Sequence, residues 1–270
     1  MGRPEAPGTN LTTGTTIGGR SAATHDPLAQ ELDSLFVGPS FDHFLGTDNL
    51  GRDQFSRIVF GARTAVQVAG VSIIIGLSLG LPIGLMAGFW GGRRDEFLMR
   101  IMDALFAFPS ILLALIILVA LADSGISRLL LVSIAIGIPF VPTFARLIRG
   151  STLSVKEQEY VIAAQSMGAT DLRVASRHIF PNTLAPIIVQ ASLLFGVAVI
   201  VEAALSFLGL GTQPPEPSWG IMLAQSQRFM RTEPWLAIYP GIAISIMVLA
   251  FNLLGDVLRD LLDPRLRGAD

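Results

Sequence analysis

Five long apolar runs constrain this chain more than any other feature, because each is long enough to cross a membrane as a helix. They lie near residues 64–90, 98–122, 127–148, 184–210 and 235–257. A transmembrane helix needs roughly 20 apolar residues to cross about 30 Å of hydrocarbon, and it satisfies its backbone polar groups internally. The runs therefore predict an all-α, polytopic membrane helix bundle of about five transmembrane helices.

Composition agrees with a membrane protein and excludes several functional classes. Hydrophobic residues make up 51% of the chain, charged residues only 15%, and the mean hydropathy is +0.59. The net charge of -2 argues against binding of nucleic acid, which favours a basic excess. The sequence lacks cysteine, and His25, His43 and His178 have no partner at ligand spacing, so no metal site is predicted.

The glycine patterns indicate helix packing rather than catalysis. A phosphate-binding loop of the GxxxxGK[ST] type is excluded because the only lysine, Lys156, is followed by Glu157. The segment GLSLG matches a nucleophile motif, but it lies in mid-span, where the strained turn of that motif cannot form. Glycines that recur every four residues share one helix face, which another helix can approach closely: Gly76, Gly80, Gly84 and Gly88. The chain is therefore predicted neither to hydrolyse ATP through such a loop nor to act as an esterase.

Arginines predict the orientation of the bundle. The segment GGRRDEFLMR, the stretch between the third and fourth runs, and the ending LRDLLDPRLRG carry arginines close to membrane ends, which places them in the cytoplasm. The loop at 211–234 then lies outside. Everything before Arg63 also lies outside, with no span to carry it across. We expect either that an upstream span is missing from this chain or that the polar tail is translocated unaided.

The remaining segments complete the predicted organisation. Residues 1–35, rich in Gly, Thr, Ala and Pro, are predicted to be a disordered tail. Residues 36–63 are predicted to lie outside the membrane, with an amphipathic helix at its surface in their second half. Residues 64–258 form the transmembrane domain, and residues 259–270 form a cytoplasmic tail.

Polar groups in or near the spans are candidates for a substrate pathway or for helix contacts. An ionisable group in hydrocarbon costs at least about 2.5 kcal/mol and must face protein or water. Glu202, with Ser206 one turn later, is the deepest of them; it either lines a pathway or anchors helix contacts. Asp103 lies near a helix end, where a salt bridge is the alternative, and Asn252 belongs to the same group of candidates.

The polar stretch EYVIAAQSMGATDLRVASRHIFPN at 159–182 predicts two helices joined at a glycine corner. Good helix formers run to Met167, and Gly168 can adopt the left-handed conformation that ends a helix. Asp171 falls in the first turn of a second helix, which Pro181 is predicted to end. Small side chains keep the corner low in profile, namely Ala163, Ala164 and Ala169. Such a corner either docks into a groove of another protein or forms an amphipathic hairpin that rests on the lipid surface.

Four stretches in order resemble the permease subunits of ABC importers, in the dipeptide, oligopeptide and nickel branch, and there the second, C-type permease. They are LGTDNLGRDQFSRIVFGAR, the stretch at 159–182, EAALSFLGLGTQPPEPSWG and NLLGDVLRDLLDPR. The resemblance runs from about Phe44 to Arg265. The chain departs from the family at Ile162, where the family usually has glutamate, although Glu159 lies one turn earlier. The family also has a span ahead of the first stretch.

The resemblance implies a cytoplasmic coupling-helix loop, about 150–182, that docks on an ATPase; we call it the coupling loop. The implied docking residues are Glu159, Ile162, Ala163, Ala164, Gly168, Ala169, Asp171 and Pro181. The external loop, about 211–234, is the implied contact for the substrate-binding protein, with Trp219 as the candidate residue. A plain connecting loop is the alternative.

The resemblance further implies an ATP-driven importer of peptides in a prokaryotic inner membrane. Its partners would be a homologous permease, two cytoplasmic ATPase subunits that hold ATP and Mg²⁺, and an external binding protein. This chain itself would be a non-catalytic membrane subunit that holds no cofactor, and a nickel complex is an alternative substrate. Two other classes remain open at this point: an ion-coupled secondary transporter that uses Glu202 or Asp103, and a scaffold or sensor that does not transport.

Overall fold

The computed structural model describes residue 23 and residues 25–262. These residues form ten α-helices and no β-strand, apart from an isolated bridge between Thr47 and Asp53. In chain order the helices are α1 (Gln54–Trp90), α2 (Gly92–Phe106), α3 (Ser110–Ala120), α4 (Arg128–Gly137), α5 (Val141–Lys156), α6 (Glu159–Ser166), α7 (Asp171–Val174), α8 (Phe180–Phe207), α9 (Trp219–Ser226) and α10 (Trp235–Leu262). Shorter helical turns lie at Leu32–Ser34, Ile138–Phe140, Ala175–Ile179 and Gln227–Phe229.

The membrane-crossing elements confirm an all-α bundle with about five spans. Four helical stretches in the described part of the chain are long and apolar enough to cross a membrane: Gln54–Trp90, Arg128–Lys156, Asp171–Phe207 and Trp235–Leu262. The helices α2 and α3 together can supply a fifth span, but they meet at an angle of 89°.

The second predicted span is broken rather than continuous. The run at 98–122 was predicted as one membrane span, and within it α2 ends at Phe106 and α3 begins at Ser110. Pro109 lies at the break, where it has no N–H to donate and disfavours helical backbone at Phe108. The angle of 89° between the two helices does not follow from hydropathy, which depends on length and apolarity but carries no information about direction.

The first span begins earlier than its apolar run. Asp53 caps α1 by accepting a hydrogen bond from the Ser56 amide at 2.8 Å, and the helix continues without interruption to Trp90. Gly91, with φ of +62°, ends it. Residues 54–63 are thus the first turns of a span and not the separate surface helix that was predicted for this region.

The core lies where α1 packs against α4, α5 and α8. The glycine face of α1 makes this close packing with α5, as predicted. A Cβ atom at Gly80 would lie 2.7 Å from Cβ of Phe144, and one at Gly84 would lie 2.5 Å from the carbonyl oxygen of Ala145. The other two glycines of the face meet the same neighbouring helix, Gly76 at its N-terminal end and Gly88 at Thr152.

Part of the predicted disordered tail is ordered. Residues 25–35 pack against the turn before α1: the His25 amide donates to Ser56 Oγ at 3.0 Å, and Thr47 Oγ1 donates to the Ser34 carbonyl. The rest of that tail, residues 1–22 and 24, lies outside the described residues. At the other end α10 extends to Leu262, and the remainder of the predicted cytoplasmic tail, 263–270, also lies outside them.

Candidate functional site

The coupling loop forms a rigid corner at one end of the bundle. Helix α6 ends in a turn in which Gly168 has φ of +85°, the left-handed conformation predicted for it. The Ala169 amide donates to the Ala164 carbonyl at 3.1 Å, and the Gly168 amide donates to the Gln165 carbonyl at 2.9 Å. Helix α7 then starts at Asp171, and these two backbone hydrogen bonds close the turn between the helices.

The second limb of the corner continues directly into the membrane-crossing helix α8. Residues Asp171–Phe207 form one unbroken helical stretch, whereas Pro181 was predicted to end the limb. Pro181 has no N–H for the carbonyl one turn before it, and the wider π-helical turn at Ala175–Ile179 accommodates this loss. The corner is consequently joined to a span without a flexible linker.

A small apolar cluster fixes the corner to the end of α1. Phe89, Val161, Val174 and Ile179 are buried against one another, and partly buried side chains surround them. Lys156 adds a polar tie, because its Nζ donates to the Phe89 carbonyl at 2.6 Å and lies 5.4 Å from the centre of the Phe89 ring. The position of the corner is thus tied to α1 as well as to α8.

The opposite face of the corner presents apolar side chains outward. Ile162 is 51% exposed, Met167 83% and Leu172 80%. Glu159, Ala163, Gly168, Asp171 and Pro181 are exposed as well, whereas Ala164 is buried and Ala169 is half-buried. The structure therefore brings the predicted docking residues into one corner, six of them exposed on it, and places Ala164 on the inner side.

Tyr160 and Asn182 close the base of the corner, a contact that sequence reasoning missed. Asn182 Nδ2 donates to Tyr160 Oη at 3.2 Å, and it also donates to the His178 carbonyl at 2.6 Å. The Tyr160 and His178 rings lie 6.1 Å apart. These residues begin and end the polar stretch, so their pairing follows from the hairpin shape and not from any motif.

At the other end of the bundle, Glu202 organises the external loop. Its side chain is buried, and Oε1 accepts hydrogen bonds from Ser206 Oγ at 2.7 Å, Thr212 Oγ1 at 3.0 Å and Ser218 Oγ at 3.0 Å. Ser206 Oγ accepts in turn from the Thr212 amide at 2.9 Å. Of the two roles left open for Glu202, the contacts fit the anchoring role.

Trp219 is a core residue and not an exposed contact. Its side chain is buried at the start of α9, where Nε1 donates to the Ile58 carbonyl at 3.0 Å. A Cβ atom at Gly61 would lie 2.8 Å from Trp219 Cδ1, so the indole occupies the space that this glycine leaves. The prediction that Trp219 contacts the binding protein is therefore wrong for its side chain.

A buried ionic network ties the segment before α1 to α9. Asp48 Oδ2 accepts from Arg52 Nε at 2.7 Å and lies 3.7 Å from Arg57 Nε. Both arginines donate to Gln225 Oε1, at 3.0 Å and 3.3 Å. The stretch LGTDNLGRD contains two members of this network, but its partner in α9 is distant in sequence.

The other candidate polar groups make helix contacts. Asp103 on α2 pairs with Arg146 on α5 at 2.8 Å in a partly exposed ion pair, which is the salt-bridge alternative considered for it. Asn252 on α10 faces α8, where a Cβ atom at Gly196 would lie 3.5 Å from its Oδ1. Asp103 and Glu202 therefore take part in separate contacts, and neither joins a common carboxylate site.

Comparison with known proteins identifies the family. Residues 80–268 match the family described as binding-protein-dependent transport system inner membrane component. The glutathione transport system permease protein GsiD of Pectobacterium atrosepticum is 48% identical over 88% of this chain and 77% of the relative. The dipeptide transport system permease protein DppC of Alkalihalophilus pseudofirmus is 47% identical over 85% of this chain and 74% of the relative.

Solved structures share the fold. An inward-facing structure of the MetNI methionine ABC transporter superposes with a TM-score of 0.63 at 19% identity, covering 76% of this chain and 96% of that one. A crystal structure of an amino acid ABC transporter superposes with a TM-score of 0.58 at 20% identity, covering 76% and 94%. The chain belongs to the binding-protein-dependent transport system inner membrane components, and it is a multi-pass inner-membrane permease subunit of an ABC importer.

Proposed function

We propose that this permease imports peptides, of the size of dipeptides, glutathione or short oligopeptides, as one half of a heterodimer with a homologous permease. Two cytoplasmic ATPase subunits bind Mg²⁺ and ATP beneath it, and an external binding protein delivers the substrate. The substrate class is supported by relatives that are described as dipeptide and glutathione permeases. Glu202 and Asp103 are the two carboxylates considered as proton carriers. Both make structural contacts, so neither supports ion coupling.

The outer face of the corner in the coupling loop supports the proposed contact with the ATPase. Three apolar side chains that are half or more exposed, Ile162, Met167 and Leu172, lie on the outer face of the corner. Apolar surface of this kind favours burial against a partner, at about 25 cal/mol per Å² removed from water. Ala163 has a small side chain and Gly168 has none, which leaves room for a partner to approach the backbone closely. Ile162 would then contribute apolar contact at the position where the family resemblance implies a glutamate.

Two ties would convert a movement of the corner into a movement of the spans. The first is the unbroken helical connection from Asp171 into α8, and the second is the packing of the corner on Phe89 at the end of α1. Because α1 and α8 also pack against each other in the core, the corner cannot shift without moving both helices. This arrangement supports a coupling role over a hairpin that rests on lipid.

The external loop offers a candidate surface for the binding protein. A pocket of about 400 Å³ lies between this loop and the segment before α1, and Asn49, Gln213, Arg228 and Phe229 are among its lining residues. The Glu202 network and the buried Trp219 hold the loop in place beneath it. We assign the contact to the pocket rim instead of to the Trp219 side chain.

Gly168→Asp tests the ATPase contact, since it adds a charge and a side chain at the corner without disturbing the bundle. No atom lies within 4 Å of a Cβ built at Gly168, so the expected effect is loss of docking and not internal strain from a clash. The left-handed backbone costs a non-glycine residue about 1 kcal/mol, less for Asn or Asp. We expect the ATPase subunits to be lost from the purified complex while the permease pair remains.

Gly125→Asp is the matched control. Gly125 also has a left-handed backbone, with φ of +72°, and no atom within 4 Å of its Cβ, but it lies in the loop between α3 and α4. Gly168→Asn places a side chain on the same left-handed backbone without adding a charge. The purified complex with this variant should retain most of its ATPase subunits. Full ATPase content and normal uptake in Gly168→Asp would show that the corner is not the docking site.

Uptake by the reconstituted complex tests the substrate. Proteoliposomes that contain both permeases, the ATPases and the binding protein should accumulate labelled dipeptide or glutathione only with Mg²⁺ and ATP inside. Accumulation of nickel alone, with peptides neither transported nor competing, would overturn the peptide assignment and leave the importer intact. Uptake driven by a proton gradient without ATP would instead contradict ATP coupling in this complex.

A further inference from the structure

We propose that His25, His43 and Asp53 form a binding site for a divalent transition-metal ion of the zinc type at the N-terminal end of α1. One ligand atom from each of the three residues lies within 4.8 Å of the others. Imidazole nitrogen and carboxylate oxygen are ligands that Zn²⁺ accepts, with three protein ligands and a water in open sites. This site goes beyond the coupling and binding-protein contacts proposed above and does not depend on them.

The distances are close to those of a bound ion. His43 Nδ1 lies 3.0 Å from Asp53 Oδ1, and His25 Nδ1 lies 4.0 Å from the same oxygen. The two imidazole rings are 4.8 Å apart between centres and inclined by 34°. Ligands at about 2.0–2.2 Å from a tetrahedral zinc ion lie about 3.3 Å from one another. His25 would have to move closer to the other two ligands to complete that geometry.

Hydrogen bonds hold the backbone of each proposed ligand. The His25 amide donates to Ser56 Oγ at 3.0 Å, and the His43 amide donates to Ser40 Oγ at 3.0 Å. Asp53 uses its second oxygen, Oδ2, to cap α1 through the Ser56 amide, which directs Oδ1 towards the imidazoles. Such supporting contacts orient ligands before the ion arrives.

Burial and charge at the site suit a cation. The Asp53 and His43 side chains are 1% and 10% exposed, whereas His25 is 36% exposed and leaves a solvent-facing side through which an ion and a water ligand can enter. A carboxylate beside two imidazoles is a donor set that a divalent transition-metal ion can bind.

Sequence spacing did not reveal this site. The prediction of no metal site considered only histidine spacing along one helix. His25 and His43 lie on separate turns before α1, and the fold brings both to the capping residue of that helix. An ion held there would fasten residues 25–53 to the head of the first span, close to the external loop.

Metal binding to the assembled transporter tests the proposal directly. The purified complex, stripped with chelator, is titrated with Zn²⁺ by calorimetry and with Co²⁺ by visible absorption. We expect one equivalent per chain that is lost in His43→Gln and weakened at least about tenfold in His25→Gln. His178→Gln, which removes the histidine of the coupling loop, is the matched control and should leave Zn²⁺ affinity unchanged.

Two outcomes would overturn the site. Equal Zn²⁺ affinity in His25→Gln, His43→Gln and the unaltered complex would mean that the three residues form only a hydrogen-bonded cap. Equal weakening in His178→Gln would place the ion elsewhere. If His43→Gln prevents assembly, the His25→Gln measurement still decides, because that side chain is partly exposed and its loss leaves the Asp53 cap to Ser56 intact.

Discussion

Removal of the Glu202 carboxylate should release the external loop while the rest of the bundle stays folded. Glu202→Ala takes away the acceptor of three hydroxyl hydrogen bonds, from Ser206, Thr212 and Ser218. At about 1 kcal/mol each, the loss amounts to about 3 kcal/mol of local stability. Hydrogen exchange of the peptide that contains the Thr212 amide should therefore accelerate about 100-fold, since each 1.4 kcal/mol is a factor of ten.

Glu202→Gln distinguishes the acceptor from the charge. The amide oxygen can take the place of Oε1 but is a weaker acceptor than a carboxylate oxygen, so the three bonds weaken by about 1 kcal/mol in total and exchange should rise only about fivefold. Peptides from the coupling loop, at the other end of the bundle, provide the internal control. If Glu202→Gln accelerates exchange as much as Glu202→Ala, or if neither accelerates it, the anchoring role is refuted. Normal protection combined with abolished uptake in Glu202→Gln would point to a role for ionisation in transport.

Two further substitutions have definite expected results. Gly84→Ala should destabilise the purified complex by about 2 kcal/mol, because its Cβ would lie 2.5 Å from the Ala145 carbonyl oxygen. Gly70→Ala on the same helix, with its nearest contact at 4.0 Å, should leave the melting temperature unchanged. Asp48→Asn should lower the free energy of unfolding by about 3 kcal/mol, because it leaves two buried arginines without their counter-charge. Proteolysis of residues 25–53 should therefore accelerate. The exposed Asp42→Asn should not alter cleavage, and equal effects in either pair would contradict the reasoning.

Features that depend on local sequence could be predicted. The number of spans follows from run lengths, the close approach of another helix to α1 follows from the four-residue glycine spacing, and the left-handed Gly168 follows from its place at a helix end. Each rests on backbone conformation or periodicity within one segment. The coupling loop was located in the same way, although its ATPase contact came from family resemblance.

Features that depend on distant residues could not be predicted. The acceptor role of Glu202 requires the loop after α8 to fold back, so that the Thr212 hydroxyl reaches the helix. The burial of Trp219 requires the space that Gly61 leaves. An aromatic residue in a proline-rich loop has the sequence appearance of a surface contact. The size of the bend at Pro109, 89°, could not be predicted for a different reason, since an apolar run carries no information about direction.

The first span reaches from one functional end of the protein to the other. Helix α1 has 37 residues without a break, and at 1.5 Å per residue it is about 55 Å long. Near its start the Ile58 carbonyl accepts from Trp219 beneath the external loop, and near its end the Phe89 carbonyl accepts from Lys156 beside the coupling loop. A tilt of about 10° about its middle would displace the two ends by about 5 Å in opposite directions. Opening of the bundle on one side of the membrane and its closing on the other would then result from a single rigid-body tilt of α1.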